Sequence, residues 1–367
     1  MHEFNIQSLQ DLAKQIKSWG QELGFQQVGI TDTDLTEAEQ HLATWLANGY
    51  HGELDYMHRH GLKRSRPDLL QPGTLRVISV RMDYQTESVA NLTQLLNEPT
   101  AAYISRYALG RDYHKLMRQR LQKLVDKIHH ALAVSATNGL SKEMPLFNLD
   151  MRPFVDSAPV LEKALAEKSG LGWIGKHSNL INRKAGSWFF LGEIYTALPL
   201  PVDEATSAHC GDCTACISIC PTQAIVAPYQ VDARRCVSYL TIELQGSIPE
   251  EFRSLIGNRI YGCDDCQIIC PWNRFAKLTA EADFNPRQQL NTQQLLAVFN
   301  WSEAEFLAKT EGSAIRRIGY QRWLRNIAVA LGNAPKSIDI KAALNSKLSA
   351  SSDLVKEHVL WALARQQ

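Results

Sequence analysis

The chain has 367 residues, 45% hydrophobic and 21% charged, with a formal net charge of +1. This is the composition of a soluble globular protein, and it excludes a global electrostatic field aimed at nucleic acid or a membrane surface, so any basic site must be local. The length exceeds what one core usually supports, and two or three domains are expected.

The opening stretch MHEFNIQSLQDLAKQ forms neither a basic-then-apolar leader nor a twin-arginine signal, and no apolar run reaches membrane-spanning length. A cytoplasmic protein with free thiols is expected. Leu9, Leu12, Ile16, Trp19 and Leu23 recur at helical spacing, which predicts a helix over 8–24 stopped by Gly24. A short strand over 26–30 and a second helix over 34–48 follow. The stretch 50–71, polar and rich in His, Arg and Lys, reads as a functional loop or broken helix. Buried strands are expected over 74–82, with Val77, Ile78 and Val80, and over 101–105, then a helix over 112–133. Pro153 to Val155 reads as a strand that delivers Asp156 to a helix over 159–168, ended by Gly170. Leu180 to Asn182 and Trp188 to Leu198 read as a hairpin across Arg183-Lys184-Ala185-Gly186. Strand and helix alternate, which predicts an α/β sandwich up to the linker prolines Pro199 and Pro201.

All eight cysteines of the protein lie between Cys210 and Cys270. Cys210, Cys213, Cys216 and Cys220 form C-x-x-C-x-x-C-x-x-x-C before Pro221; Cys236 stands alone; Cys263, Cys266 and Cys270 form C-x-x-C-x-x-x-C before Pro271. This is the spacing of ferredoxins with two 4Fe-4S clusters, in which the cysteine before proline ligates the other cluster. The sets therefore cross: Cys210, Cys213, Cys216 and Cys270 for one cluster, Cys220, Cys236, Cys263 and Cys266 for the other. Two four-cysteine zinc sites are the alternative, although zinc does not need so long a motif. Beyond the cysteines the chain reads as mostly helical, and IAVAL (327–331) is echoed by VLWAL (359–363), a faint helical repeat.

Three further features carry chemistry. Gly170 to Gly175 matches G-x-G-x-x-G, but it follows a helix and leads into a strand, the reverse of a dinucleotide site; a glycine segment that brings backbone close to another flat ligand is the other reading. Asp156 reads as an ordinary N-cap or as an acid held for proton transfer. Arg316, Arg317, Arg322 and Arg325, with Tyr320 and Trp323 among them, are either a solvated face or a phosphate-binding patch. His51, His58, His60 and His114 show no firm metal-ligand spacing and read as surface or pocket residues.

The motifs SRYALGRDYHK, VDSAPVLEKALAEKSGLGWIGKHSNL, VDARRCVSYLTIELQG, GNRIYGCDDCQIICPWN and EGSAIRRIGYQRWLRNIAVALGNAP are long and specific. With them the chain resembles the bacterial epoxyqueuosine reductases over nearly its whole length. That resemblance implies an α/β (α+β) corrinoid-binding domain over 1–200, similar to part of the reductive dehalogenases, a ferredoxin-like unit with two clusters over 201–275, and an all-α HEAT-like module over 276–367. It implies an oxidoreductase that turns epoxyqueuosine into queuosine at the wobble position of tRNA. Electrons from an external single-electron donor, of flavodoxin or ferredoxin type, would pass through the clusters to cobalamin, giving cob(I)alamin. Asp156 would donate the proton, with a pKa raised by burial. Arg64, Tyr107, Asp156, Glu162, Lys163, Gly175, Leu180 and Ser238 would contact the corrinoid, and Arg316, Arg317, Arg322 and Arg325 the tRNA. A monomer without membrane attachment is expected. The alternatives are a dehalogenase-like enzyme on a small substrate, and a non-enzymatic electron-transfer or RNA-binding protein.

Overall fold

The computed structural model describes residues 6–89, 92–137, 150–349 and 352–367, so the first residues of the N-terminal stretch lie outside the described residues. The strands in chain order are β1 (Gln27–Thr31), β2 (Arg76–Asp83), β3 (Tyr103–Ile104), β4 (Arg152–Phe154), β5 (Trp173–Ile174), β6 (Leu180–Ile181), β7 (Phe189–Thr196), β8 (Ile225–Ala227), β9 (Gln230–Val231) and β10 (Arg259–Tyr261). β1, β2, β7 and β4 form one sheet in that order, and every neighbouring pair is antiparallel. The expected α/β sandwich is therefore an α+β layer.

One face of this sheet is apolar. Ile30, Ile78, Val80, Met82, Phe190 and Ile194 bury against the helices Ile6–Glu22 and Tyr113–Thr137, each side chain contributing ~1.5–3 kcal/mol. The first helix ends as expected, with Gly24 at φ 89°. Alternation sends Ser79, Arg81, Asp83 and Glu193 to the opposite face, over which the helix Glu162–Lys168 packs.

The expected hairpin between β6 and β7 does not form. β6 pairs with β5, and β7 lies between β2 and β4, in register with the whole of Arg76–Asp83. The turn at 183–186 keeps one bridge, Asn182 to Gly186. The reason is burial: all eight residues of β7 are buried, which a two-stranded ribbon cannot provide.

The cysteine-bearing stretch is tied to the first half of the chain. β3 pairs in parallel with β10. Asp264, one residue after Cys263, accepts hydrogen bonds from Tyr103 Oη at 2.9 Å, Ser105 Oγ at 2.5 Å and the Arg106 N–H at 2.9 Å. The helices Gly319–Asn333 and Asp353–Arg365 carry the two echoed segments and pack together. Their core is continuous with β3 and β10: Ala102, Ile104, Leu109, Ile242 and Ile260 share one apolar cluster with Ile327, Leu331 and Val359. The tail is thus a docked wall of the molecule.

Candidate active site

The thiols fall into two groups. Cys210, Cys213, Cys216 and Cys270 line a cavity of about 240 Å³ together with Lys176, His209, Trp272 and Arg274. Burial pushes the Cys270 thiol up, and Cys210, Cys216 and Cys213 push it further, so the four stand close. Cys213 is exposed. Cys220, Cys236, Cys263 and Cys266 line a second, larger cavity. Among the described residues no three His, Cys, Asp or Glu gather as a single ion requires. Each four-thiol set instead lines its own cavity, as two separate clusters require.

The larger cavity measures about 770 Å³, in the upper range for a ligand site. Of the residues named from the sequence, Tyr107, Asp156, Glu162, Lys163, Leu180, Ser238, Arg316 and Arg317 line it with the second thiol group. Arg64 and Gly175 are not in its wall. Arg64 is buried behind the loop that follows Asp156, where it donates to the carbonyls of Val160 at 3.4 Å and Tyr56 at 2.6 Å. The glycine motif serves β5 and β6. Gly170, at φ 75°, follows the helix, and a Cβ on Gly172 would stand 2.2 Å from the Ile181 carbonyl oxygen. The backbone that these glycines bring close is the protein's own. His177 is buried on the cavity wall, and its Nε2 has no protein partner; a bound polar group would satisfy it.

Asp156 is no N-cap, because the helix begins only at Glu162 and Asp156 stands on the turn after β4. The turn opens its carboxylate into the cavity. Tyr113 donates its hydroxyl to one oxygen, and His114 Nε2 lies 2.8 Å from the other. His114 Nδ1 lies 2.6 Å from Asp112 Oδ1. Burial pushes the Asp156 carboxyl up, but the hydrogen bond and charge of His114, the Tyr113 hydroxyl and the charge of Arg317 outweigh it and hold it below the usual value. The expected raised pKa is thus found elsewhere. His114 is lowered by burial but raised more by Asp112 and Asp156, to about 9. Burial and the Asp156 charge push Glu162 up, and Glu193, buried on β7 with neither oxygen partnered, is pushed up further by burial and by both acids.

The stretch 209–273 matches the family described as 4Fe-4S double cluster binding domain, and 64–157 matches the family described as Epoxyqueuosine reductase QueG, DUF1730. The epoxyqueuosine reductase of Salmonella typhimurium is 60% identical over 358 residues, covering 98% of this chain and 89% of that protein. The epoxyqueuosine reductase of Pseudomonas aeruginosa is 59% identical over 355 residues, covering 96% of this chain and 94% of that protein. The chain belongs to the epoxyqueuosine reductase family. A solved epoxyqueuosine reductase with a tRNA-Tyr epoxyqueuosine-modified stem loop has a TM-score of 0.83 to this fold at 25% identity, covering 97% of this chain and 90% of that one. The epoxyqueuosine reductase structure from Streptococcus thermophilus gives 0.81 at 25% identity, covering the same shares.

Within this epoxyqueuosine reductase fold the four tail arginines divide. Arg316 and Arg317 are exposed at the cavity, and Arg317 pairs with Glu243 at 2.5 Å. Arg322 caps carbonyls, donating to Ile318 at 2.7 Å, Ile242 at 3.0 Å and Arg317 at 3.0 Å. Arg325 is fully buried and saturated by the carbonyls of Leu240, Leu244 and Gly246. It is therefore a structural pin rather than a phosphate ligand. Sequence reasoning missed Tyr113 and Glu193, and left His114 among the surface or pocket residues without a role. Metal-ligand spacing was the wrong test for His114; the useful signal was D-Y-H, a carboxylate acceptor, a hydroxyl donor and a titratable ring opening a helix.

Proposed function

We propose that this protein reduces epoxyqueuosine to queuosine in tRNA, in a cavity that takes a corrinoid beside one of two 4Fe-4S clusters. One observation carries the reading: Asp156 and the thiols of Cys220, Cys236, Cys263 and Cys266 line the same cavity. Cys210, Cys213, Cys216 and Cys270 would hold the cluster farther from the acid, the other four thiols the nearer one. Tyr107, Glu162, Lys163, Leu180 and Ser238 would surround the corrinoid, with the free His177 Nε2 offered to a polar group on its edge. When bound, the corrinoid supplies a strongly reducing cobalt centre, and the clusters supply single electrons.

The balance is two electrons and two protons per epoxide; both C–O bonds break, an alkene remains, and oxygen leaves as water. The chain supplies the enclosure and the proton. Asp156 delivers to the epoxide oxygen, and the cavity walls exclude water from the reducing centre. Arg316 and Arg317 at the rim would hold tRNA phosphates while the modified base enters. An external one-electron donor, a flavodoxin or ferredoxin, would dock where Cys213 is exposed, beside Lys176 and Arg274. We read 1–200 as the corrinoid domain, 201–275 as the cluster unit and 276–367 as a HEAT-like module. We read the protein as a monomer acting on tRNA in the cytoplasm; no helix among the described residues is long and apolar enough to cross a membrane.

The test is anaerobic. Protein reconstituted with iron, sulfide and cobalamin, given a strong reductant and tRNA carrying epoxyqueuosine, should yield queuosine on nucleoside analysis. Unchanged epoxyqueuosine from fully loaded protein would reject the reading.

A further inference from the structure

Asp156 by itself is poorly set to be an acid, since both its oxygens accept hydrogen bonds, from His114 Nε2 and the Tyr113 hydroxyl. Donors on both oxygens favour the carboxylate. The missing proton has a visible place. His114 has a carboxylate oxygen on each ring nitrogen, Asp112 Oδ1 at 2.6 Å from Nδ1 and Asp156 Oδ1 at 2.8 Å from Nε2. A ring that donates at both nitrogens is an imidazolium. Its position is over-determined. The ring stacks on Tyr113 with centroids 4.2 Å apart, Tyr113 stacks on Phe190 at 3.8 Å, and the His114 N–H donates to Asp112 Oδ1 at 3.1 Å. Asp112 is part-exposed, so the array runs from near the surface to the cavity wall.

We propose that His114 stores the proton that Asp156 delivers to the substrate, with Asp112 holding the stored charge in place and Tyr113 aiming the carboxyl. This deepens the epoxide-reducing reading and rests on it. The proton leaves His114 Nε2 for Asp156 Oδ1, and the resulting carboxylic acid gives it to the epoxide oxygen as a C–O bond breaks. His114 is left neutral, its Nδ1–H still donated to Asp112, and takes a proton back from water once the product has gone. The two electrons come from the external donor, and the second proton, which completes the departing water, comes from solvent. His114 and Asp112 act through Asp156 and are positioning residues.

The groups that face this array also include Arg317 from the tail, whose charge lowers both Asp112 and Asp156, and Glu162 from the helix over the sheet, which His114 lowers. Burial works against a charged His114, but the two carboxylates outweigh it and set its pKa near 9. A lone carboxyl would lose its proton near pH ~4; with the store, the donor stays supplied through neutrality.

The experiment is single-turnover reduction of epoxyqueuosine tRNA against pH, with enzyme whose iron and corrinoid contents are verified for each variant. Wild type should keep its rate up to about pH 9 and lose it above. Asp112→Asn should move that alkaline limb down by about one pH unit or more. His114→Gln should lose about 100-fold at neutral pH and recover as the pH falls into the carboxyl range. A second readout needs no turnover: 15N-histidine NMR of protein with oxidised clusters and no corrinoid should show one imidazole titrating near pH 9, its midpoint lower in Asp112→Asn. An unmoved limb and an unmoved midpoint in Asp112→Asn, or a wild-type profile in His114→Gln, would overturn the proposal. If His114→Gln fails to retain its cofactors, Asp112→Asn decides. Wild-type enzyme that leaves epoxyqueuosine unreduced while the titration appears as described sinks the assigned reaction alone.

Discussion

Arg325 Nη2 donates to the Leu240 carbonyl at 2.8 Å and so binds the third-last helix of the chain to the helix Val237–Ile242, which follows Cys236 directly. Nη1 of the same guanidinium reaches Leu244 at 2.8 Å and Gly246 at 2.7 Å, and the next residue, Asn326, donates to Thr241 at 2.7 Å and Ile260 at 2.9 Å. Five carbonyls around the cluster stretch are thus capped from the tail.

The first prediction separates pin from patch. Arg325→Met should lower unfolding stability by about 3 kcal/mol or more, since it strands buried carbonyls, and should leave the salt dependence of tRNA binding alone. Arg316→Ala combined with Arg317→Ala should cost about 1 kcal/mol or less but weaken tRNA binding and reduce its salt slope by about one for each phosphate that is no longer neutralised. Equal salt slopes in wild type and the double variant would leave Arg316 and Arg317 as plain surface.

This division shows what was legible in the sequence. The positions of Leu9, Leu12 and Ile16, or of Val77, Ile78 and Val80, state a period, and period maps directly to local structure. The cysteine spacing likewise states its chemistry, because the constraint is local. Arg325 and Arg316 carry the same charge nine positions apart, and nothing local says that one meets three carbonyls while the other meets solvent. β7 fails for a related reason: Phe189, Phe190, Leu191 and Ile194 announce burial without naming their partners. Asp156 before Ser-Ala-Pro has the local form of a cap, yet its carboxylate meets His114, 42 positions earlier in the chain.

The second prediction concerns the crossing of the cysteine sets. Cys270→Ser should behave like Cys213→Ser, and Cys263→Ser like Cys236→Ser. Each should reduce iron from about eight to about four per chain. The first pair should keep the cluster beside the corrinoid, the second pair the outer one, which electron paramagnetic resonance of the reduced protein distinguishes by the presence or absence of coupling to cobalt. Cys270→Ser that resembled Cys263→Ser would refute the crossing.

The third prediction tests the glycine segment. At Gly172 an added methyl meets the Ile181 carbonyl oxygen at 2.2 Å and the Ile181 carbonyl carbon at 2.8 Å, both backbone atoms that cannot swing aside. Gly172→Ala should therefore push β5 from β6, disturb Ser178, Asn179 and Leu180 on the cavity wall, and cost about 1–3 kcal/mol. Corrinoid retention should fall while iron content holds. Gly246→Ala, where no atom lies within 4 Å of the added methyl, should leave corrinoid retention unchanged. Undiminished corrinoid retention in Gly172→Ala would show that β5 and β6 can separate without cost to the cavity.

The fourth prediction is an acid limit on stability, set by His358. This side chain is fully buried on the last helix; its Nδ1 donates to the Leu354 carbonyl at 2.7 Å, and its Nε2 accepts the Ile248 N–H at 3.1 Å. Both bonds are made by the neutral ring, and a second proton would break the one to Ile248. Burial lowers the folded pKa from 6.5 to about 4. The unfolded chain thus binds the proton first as pH falls. The stability is fully present above pH ~6.5 and is lost progressively down to pH ~4, at about 1.4 kcal/mol per pH unit and about 3 kcal/mol in all. Urea unfolding across this range should show that slope in wild type, and His358→Gln should flatten it by one proton's worth, whatever its stability at pH ~8. The same slope in both proteins would mean that the ring takes its proton in the folded state, and that the bond to Ile248 does not hold the helix as described.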